Sequence, residues 1–203
     1  TTLSQTGFTC SDVGSLNKVY ITLTDIYGNA YNDSILVLVY DTTKPEVITK
    51  TKDTVYLDAN GLATMTAADI DSASFDYCGI QSMIIDVTNF SCINANKTIN
   101  VTLTVTDVNG NTSTGTTPVL VLDTVKPILA LKNVSAFIDA DGDDTITVYD
   151  VDDGVYDNCA LKRRWLSDSV LSCANLGTNT ITFYAEDVNG NIDSATFTVD
   201  VQD

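Results

Sequence analysis

Apolar and polar residues alternate along three segments of this chain. Val101, Leu103 and Val105 are separated by threonines, and a comparable alternation occurs at residues 19–24 and 181–186. A period of two residues predicts β-strands that bury one face and expose the other, and threonine suits the exposed face of a sheet. No segment has a convincing helical period, so we expect an all-β protein.

Tight turns separate these predicted strands. Asn-Gly pairs at residues 109–110 and 189–190 are strong hairpin signals, and residues 56–61 and 137–142 each resemble a strand that ends in a turn. About seven short strands in each stretch of roughly 80 residues are typical of an immunoglobulin-like β-sandwich.

A cysteine segment followed by an Asp-x-x-Gly-Asn turn occurs three times along the chain. The turns occupy residues 25–29, 107–111 and 187–191. The copies lie 80 to 82 residues apart, which is too long for a solenoid repeat and matches a small β-sandwich domain. We therefore expect tandem immunoglobulin-like β-sandwich repeats arranged as an elongated rod.

Proline marks the predicted boundaries between the copies. Asp-x-x-Lys-Pro segments at residues 41–45 and 123–127 each follow an apolar, strand-like run, and proline interrupts ladder pairing. We predict that residues 1–41 form the C-terminal half of a truncated repeat, and that residues 42–123 and 124–203 form two complete repeats. Because half a domain cannot close its own core, the intact protein is expected to extend in both directions.

The chain is strongly acidic. It has 27 acidic and 10 basic residues, which give a net charge of −17. Such a surface repels nucleic acid and anionic membranes and attracts cations. Disorder, the other explanation of an acidic chain, is disfavoured by the 44% hydrophobic content and the clean strand patterns. No apolar run has the length of a membrane span, so we expect no direct membrane insertion.

Four of the five cysteines fall into two equally spaced pairs. Cys78 and Cys92 are 14 residues apart, as are Cys159 and Cys173, and we predict one disulfide within each pair. Cys10 matches Cys92, so its partner is expected to precede the sequence. Zinc is the other explanation of the cysteines, but the chain has no histidine and no Cys-x-x-Cys motif. Disulfides would indicate an oxidising, extracellular setting.

Aspartates recur at the ends of the predicted strands. If the strands alternate in direction, the loop at 69–76 and the turn at 107–111 lie at one pole of the second repeat, beside the linker that begins at Asp41. The same argument applies one repeat later, beside Asp123. The predicted ligand sets are Asp41, Asp69, Asp71, Asp76, Asp107 and Asn111 at the first junction, and Asp123, Asp150, Asp152, Asp157, Asp187 and Asn191 at the second.

Several carboxylates in a small volume repel one another unless a cation neutralises them. Hard oxygen ligands without histidine or cysteine select Ca²⁺ over transition metals, so we predict calcium at both junctions, where it would stiffen the connection between repeats. The alternative is that these residues only form turns and caps, which explains Asp107 and Asn111 equally well when they are taken alone. Residues 139–144 resemble the start of a calcium loop, but no closing glutamate follows, and an acidic hairpin turn is favoured.

Several ordered motifs point to a known repeat type. They are Leu-Asp-Ala-Asn-Gly at 57–61, Ser-x-Asp-x-Cys-Gly at 74–79, Phe-x-Cys at 90–92 and Leu-Thr-Val-Thr-Asp-Val-Asn-Gly-Asn at 103–111. In this order the chain resembles, over its whole length, the immunoglobulin-like, HYR-type tandem repeats of giant bacterial surface adhesins, and most of all those of gliding-motility adhesins from Bacteroidetes-type bacteria. The third copy departs from the motif at Ala160 and Leu171.

The resemblance implies a protein that is secreted by the type IX route, exposed on the cell surface as long filaments, and used for attachment or propelled along the surface. Calcium at domain junctions is a feature of related adhesin repeats. Asp-Ser/Thr followed by a small or aliphatic residue or threonine is the O-glycosylation acceptor pattern of such bacteria. It predicts a glycoprotein with acceptors at Ser34, Thr42, Thr54, Ser72, Thr124, Thr145, Ser169 and Ser194.

We therefore expect a structural repeat segment of a cell-surface adhesin filament, whose partners are neighbouring repeats of the same long chain and, beyond them, surface polysaccharide or other filament copies. Catalysis is not expected, since the chain has no histidine and no nucleophile motif. The alternative is a carbohydrate-binding accessory module, in which Trp165 would stack on a sugar beside the basic residues 162–164. The favoured interpretation is that Trp165 packs inward while the basic residues balance local acidity.

Overall fold

The computed structural model describes residues 1–203, and nearly all of its regular secondary structure is β-strand, as the alternation predicted. The strands are β1 Thr2–Leu3, β2 Leu16–Thr24, β3 Ala30–Leu38, β4 Asp53–Tyr56, β5 Leu62–Thr64, β6 Ile80–Ile85, β7 Asn89–Ser91, β8 Thr98–Asp107, β9 Thr112–Leu122, β10 Val134–Phe137, β11 Asp143–Thr145, β12 Leu161–Leu166, β13 Val170–Ser172, β14 Gly177–Asp187 and β15 Ile192–Gln202. The helical elements are single turns: α1 Ala67–Ile70, α2 Val148–Val151, and 3-10 turns at Cys10–Asp12, Cys92–Asn94 and Cys173–Asn175. None of them has the length and apolarity that a membrane-crossing helix requires.

The chain divides into two compact units, each made of several segments. Unit 1 comprises Thr1–Thr51, Thr66–Asp86 and Val101–Thr117, and unit 2 comprises Lys52–Met65, Val87–Asn100 and Pro118–Asp203. The division runs through the second repeat, so that its linker end belongs to unit 1 and its far end to unit 2. Each junction between successive repeats therefore lies inside one unit.

Unit 2 contains the whole third repeat, which is an immunoglobulin-like sandwich of two sheets. One sheet has the order β10-β15-β14-β12, in which β10 and β15 are parallel and the other neighbours antiparallel. The second sheet pairs β11 with β13. The buried core residues are Ala136, Ile146, Val151, Val155, Leu171, Ile181, Phe183, Ala185, Phe197, Val199 and Val201. The inward positions predicted on the strand at 181–186 are thus confirmed.

The second repeat has the same pairings at equivalent positions. In unit 2, β4 is parallel to β9 and β5 is antiparallel to β7; in unit 1, β6 is antiparallel to β8. Val101, Leu103 and Val105 are fully buried, as their alternation predicted. In the first copy β1, β2 and β3 form one antiparallel sheet, in which Val19 is buried and Leu23 is 46% exposed.

The helical turns were not predicted, because four residues are too few to show a helical period. Each is closed by a capping box. In α1 the carboxylate of Asp69 accepts hydrogen bonds from the backbone N–H and the hydroxyl of Thr66, and Asp150 does the same for Thr147 in α2. The signal available in the sequence was Thr-x-x-Asp, which is the capping-box pattern with aspartate in place of glutamate.

The predicted disulfide pairing is wrong. The structure joins Cys10 to Cys78 and Cys92 to Cys159, and Cys173 is free. Strands β12 and β13 lie between Cys159 and Cys173 in different sheets, and the six residues of β12 alone span about 20 Å. A disulfide requires Cα atoms within about 7 Å. Neither predicted pair is bonded; instead, each disulfide links one repeat to the next.

Candidate cation sites at the disulfide-linked junctions

Three carboxylates meet at the second junction, within unit 2. Asp123 follows β9, Asp157 precedes β12, and Asp187 ends β14, and one oxygen of each lies within 4.8 Å of the others. Asp187 is fully buried and Asp123 is 5% exposed. The loops therefore bring together, as the strand directions predicted, three aspartates of the predicted ligand set.

The turn that carries Asp187 supports its carboxylate locally. Oδ1 accepts hydrogen bonds from the backbone N–H groups of Asn189 and Asn191, and Oδ2 accepts one from the Asn191 side chain at 2.7 Å. The same three bonds occur at Asp107 and at Asp25. Their presence in all three copies shows that the turn forms by itself, so turn formation accounts for part of the aspartate and asparagine pattern.

At two of the three turns these hydrogen bonds lower the pKa of the aspartate. At Asp107 burial is the largest influence and raises the pKa, but bonds from Asn111 and Asn109 together outweigh it, and the pKa is lowered. At Asp25 the side-chain bond from Asn29 is the main cause of a lowered pKa. The carboxylates of Asp107 and Asp25 are therefore ionised near neutral pH.

Amide side chains bind the linker aspartate at this junction. Asn189 donates to Asp123 Oδ2 at 2.7 Å and Asn158 donates to Asp123 Oδ1 at 3.2 Å. The backbone carbonyl of Asp123 accepts from the Asn191 side chain at 3.2 Å. These bonds fix the linker against the third repeat, but they bring no positive charge to the carboxylates.

Two buried oxygens at this junction have no hydrogen-bond donor. They are Oδ2 of Asp157 and Oδ1 of Asn158, and no Lys or Arg forms an ion pair with Asp123, Asp157 or Asp187. At 4.8 Å each carboxylate pair repels by roughly 3 kcal/mol at an effective dielectric constant of about 20. Unpaired oxygens beside uncompensated carboxylates fit a hard divalent cation such as Ca²⁺.

The second disulfide lies beside this group. Cys92 Sγ is 3.7 Å from the carbonyl oxygen of Gly61 and 3.5 Å from that of Asn158. The Asn158 side chain also donates to the carbonyl oxygen of Asp58 at 3.0 Å, and the Asn96 side chain donates to Asn189 at 3.2 Å. Residues of the second and third repeats are therefore held together here by covalent and polar contacts.

The first junction, within unit 1, has a smaller group. It contains Asp41, Asp76 and the sulfur of Cys78, and this sulfur is bonded to Cys10, so it is not a thiolate ligand. Asp41 Oδ2 accepts from the Asn109 side chain at 2.8 Å, and the Asp41 carbonyl oxygen accepts from Asn111 at 3.3 Å. Asp41, Asp76 and the 107–111 turn thus come together as predicted, but with one carboxylate fewer in the group.

Asp107 is not in the first group, and four more predicted carboxylate ligands lie outside both groups because they serve local structure. Asp69 and Asp150 cap α1 and α2, and hydrogen bonds from Thr66 and Thr147 lower their pKa values. Asp71 accepts the N–H of Ser74. Asp152 accepts the N–H groups of Gly154 and Val155 and pairs with Arg164; although burial raises its pKa most, these partners lower it overall.

The sequence prediction included Asn111 and Asn191 but missed the other asparagines of the junctions. Asn109 and Asn189 occupy the same position in their turns and contact the linker aspartate in the same way, and this repetition was a usable signal. Asn158 had no such signal, because the equivalent position in the second repeat is Tyr77.

Trp165 is engaged by neighbouring side chains. Its ring stacks on Tyr184 with centroids 5.1 Å apart, and the Arg163 guanidinium lies 4.6 Å from its ring centroid. Lys162 and Arg163 both pair with Glu186, whose pKa they lower, and Arg164 pairs with Asp152. The basic residues thus balance local acidity, as expected, but the expectation that Trp165 packs inward is wrong: it lies opposite Tyr184 on the sheet and is not part of the core.

No protein-family model and no curated protein sequence matches this chain. Solved structures that match this chain include protocadherin gamma B7 extracellular cadherin domains 1–4, at 11% identity and a TM-score of 0.36. The matched region covers 93% of this chain and 58% of the protocadherin chain. Protocadherin gamma C5 EC1-3 has 12% identity and TM-score 0.39, with 92% and 77% covered. Sidekick-1 immunoglobulin domains 1–4 have 10% identity and TM-score 0.40, with 97% and 60% covered. The chain thus spans little more than half of the first of these structures, and likeness at this level carries no function to it.

Proposed function

We propose that this chain is a structural repeat segment of an extracellular adhesin filament, in which disulfides and Ca²⁺ stiffen the junctions between immunoglobulin-like repeats. The single observation that carries this proposal is the second junction. There a disulfide between successive repeats lies beside three carboxylates that no basic side chain neutralises. Such a device resists separation of neighbouring repeats, which is what a load-carrying surface filament requires.

Two further features support an extracellular role. Two disulfides indicate an oxidising compartment, and a net charge of −17 suits a surface that attracts cations and repels anionic polymers. Surface attachment, gliding motility and type IX secretion enter this proposal through the motifs that resemble gliding adhesins.

O-glycosylation belongs to the same proposal. None of the eight predicted acceptor hydroxyls lies on a buried residue, and six of them are exposed. Intact-mass measurement on protein purified from its natural source should show hexose-sized increments, and a mass equal to that of the unmodified chain would remove glycosylation from the proposal.

The calcium part is tested by titrating the chelator-treated chain with CaCl₂ in a calorimeter and by measuring its melting temperature with and without excess chelator. We expect saturable binding and a higher melting temperature with Ca²⁺, and loss of both effects in Asp123→Asn/Asp157→Asn. The attachment part is tested with beads that carry the chain, whose adhesion to surface polysaccharide and to one another should depend on Ca²⁺. No binding and an unchanged melt would contradict the calcium part; adhesion no greater than that of uncoated beads would contradict the attachment part.

The carbohydrate-binding alternative has less support, since Tyr184 and Arg163 already occupy the ring of Trp165. Glycan-array binding that disappears in Trp165→Ala would favour it.

A further inference from the structure

Three cysteines occupy the same place in the three copies, and only the last is unpaired. Cys10, Cys92 and Cys173 each begin a 3-10 turn. Cys10 is bonded to a cysteine of the second repeat and Cys92 to a cysteine of the third, with nearly equal Cα separations of 5.2 and 5.3 Å. Cys173 is exposed and free.

Cys173 and Cys92 share one contact within their own repeats, to the carbonyl oxygen of the turn glycine. Cys92 Sγ is 3.7 Å from the carbonyl oxygen of Gly61, and Cys173 Sγ is 3.8 Å from that of Gly142. Both glycines end a turn in the left-handed region, with φ of +72° and +90°. Both thiols therefore lie near the same carbonyl group of the turn, but their positions differ, because a Cβ added at Gly61 would lie 2.4 Å from Cys92 Sγ whereas one added at Gly142 would meet no atom within 4 Å.

The two places differ on the side that a following repeat supplies. A Cβ added at Gly61 would lie 3.0 Å from the carbonyl oxygen of Asn158 in the third repeat, whereas a Cβ at Gly142 would meet no atom of another repeat within 4 Å. Asp58, whose carbonyl oxygen accepts the Asn158 amide, corresponds to Asp139. The third repeat thus carries, at Asp139 and Gly142, the residues that correspond to those with which the second repeat contacts Asn158. No residue of another repeat contacts them.

We propose that Cys173, Gly142 and Asp139 form a docking surface for a further repeat of this type, joined in sequence after Asp203 and locked by a disulfide from Cys173 to the cysteine that corresponds to Cys159. The inference rests on the proposed function only in taking the chain as a repeat segment. In the bond-forming step the two thiols lose two protons and two electrons. A small-molecule disulfide such as oxidised glutathione takes up both and leaves as two thiols.

A second copy of this chain is a poorer occupant. Cys78 and Cys159, the cysteines that accept such a bond, are already paired in every copy, so a copy offers only its own Cys173. Pairing two Cys173 residues would also bring two acidic turns together, since aspartates surround Gly142 at positions 139, 141, 143 and 144. Like charges at that distance oppose the contact.

The test extends the full chain by a second copy of residues 124–203 fused after Asp203, with refolding in a glutathione buffer and peptide mapping by mass spectrometry without reduction. We expect Cys173 to be linked to the appended copy of Cys159, and the appended copy of Cys173 to be alkylated. The bonds Cys10–Cys78 and Cys92–Cys159 in the same map report correct folding. Their absence would contradict the pairing scheme from which the proposal comes.

Several outcomes would overturn the proposal: alkylation of Cys173 in the folded extended chain, a bond between the two appended cysteines, or dimers linked through Cys173. Gly142→Ala should reduce the new bond severalfold in the extended chain, because the added Cβ takes the space that Asn158 fills at the second junction. Gly154→Ala is the matched control, since Gly154 also has positive φ and open surroundings, and it should leave the bond intact. Because the disulfide map is read without added Ca²⁺, failure of calcium binding and failure of docking are separate results.

Discussion

The two junctions have equivalent disulfides but differ in the number of carboxylates that lie beside the disulfide. Each disulfide joins cysteines that are nearly equally far apart in sequence, by 68 residues at the first junction and by 67 at the second. The first junction gathers two carboxylates and a bonded sulfur, whereas the second gathers three carboxylates. Repetition of the fold therefore fixes the link between repeats without fixing the strength of the cation site.

One substitution between the repeats accounts for part of the difference. The second junction has Asn158, which donates to both Asp123 and the carbonyl oxygen of Asp58. The equivalent position at the first junction is Tyr77, which is 87% exposed. Asn158 therefore adds a polar link between the second and third repeats, and Tyr77 forms no corresponding hydrogen bond at the first junction.

Removal of the disulfides should produce the largest losses of stability, and it tests whether the two disulfides stabilise the chain equally. The variants Cys10→Ser/Cys78→Ser and Cys92→Ser/Cys159→Ser each open a loop of similar length, and chain entropy predicts a loss of about 4 kcal/mol for either. Chemical denaturation monitored by circular dichroism measures both losses. A midpoint that does not move in either variant would show that the corresponding disulfide does not stabilise the chain.

Calcium should separate the junctions more clearly. At a free concentration 100 times its dissociation constant, an ion that binds only the folded state stabilises it by about 2.7 kcal/mol. We expect Asp157→Asn to remove most of the calcium-dependent rise in melting temperature, because it deletes one of three carboxylates at the second junction. Asp76→Asn is the matched control at the first junction and should remove less. An equal loss in the two variants would contradict the ranking of the sites.

The packing of the second junction can be probed at one glycine. Gly61→Ala places a Cβ against Cys92 Sγ and the Asn158 carbonyl oxygen, and overpacking of this kind costs about 1–3 kcal/mol. Gly142→Ala imposes the same left-handed backbone on alanine where no atom lies nearby, so the difference between the two variants measures the junction contact. Equal losses in urea denaturation would show that the close approach at Gly61 does not exist in solution.

The smallest effect concerns the predicted ligands that the structure uses as caps. Asp150→Asn should cost about 1 kcal/mol of stability through the capping box of α2 and leave calcium affinity unchanged, unlike Asp157→Asn. Hydrogen bonds from Thr147 lower the pKa of Asp150 below its ordinary value of 3.8, so its stabilisation is present above that value and is lost as the pH falls through the lowered one. The stability difference between Asp150→Asn and the parent chain should therefore disappear only in strongly acidic solution; a change in calcium affinity would instead place Asp150 at the ion.

The sequence predicted the strands well because burial imposes a period of two on residues such as Val101, Leu103 and Val105. Strand direction was also sufficient to place Asp41 beside the 107–111 turn. The disulfides could not be obtained in this way, since a spacing of 14 residues suits a local loop as well as two ends of one repeat. The pairing within repeats leaves Cys10 unpaired, whereas the observed pairing between successive repeats leaves Cys173 unpaired. Each scheme leaves one cysteine over, so the number of cysteines could not distinguish the two pairings.

The ligand set was overpredicted for a related reason. Asp150 and Asp157 are the same residue type only seven residues apart, and only three-dimensional geometry shows that the first caps a helical turn while the second has a buried oxygen without a donor. Asn158 was missed because its role depends on Asp58, which is 100 residues away in sequence.

The most direct test of the central claim is an anomalous difference map from crystals of the full chain grown with CaCl₂. We predict a peak bonded to Asp123, Asp157 and Asp187 at the second junction, with a weaker peak or none beside Asp41 and Asp76. A map without a peak among those three carboxylates, at a calcium concentration that saturates other extracellular modules, would contradict the account.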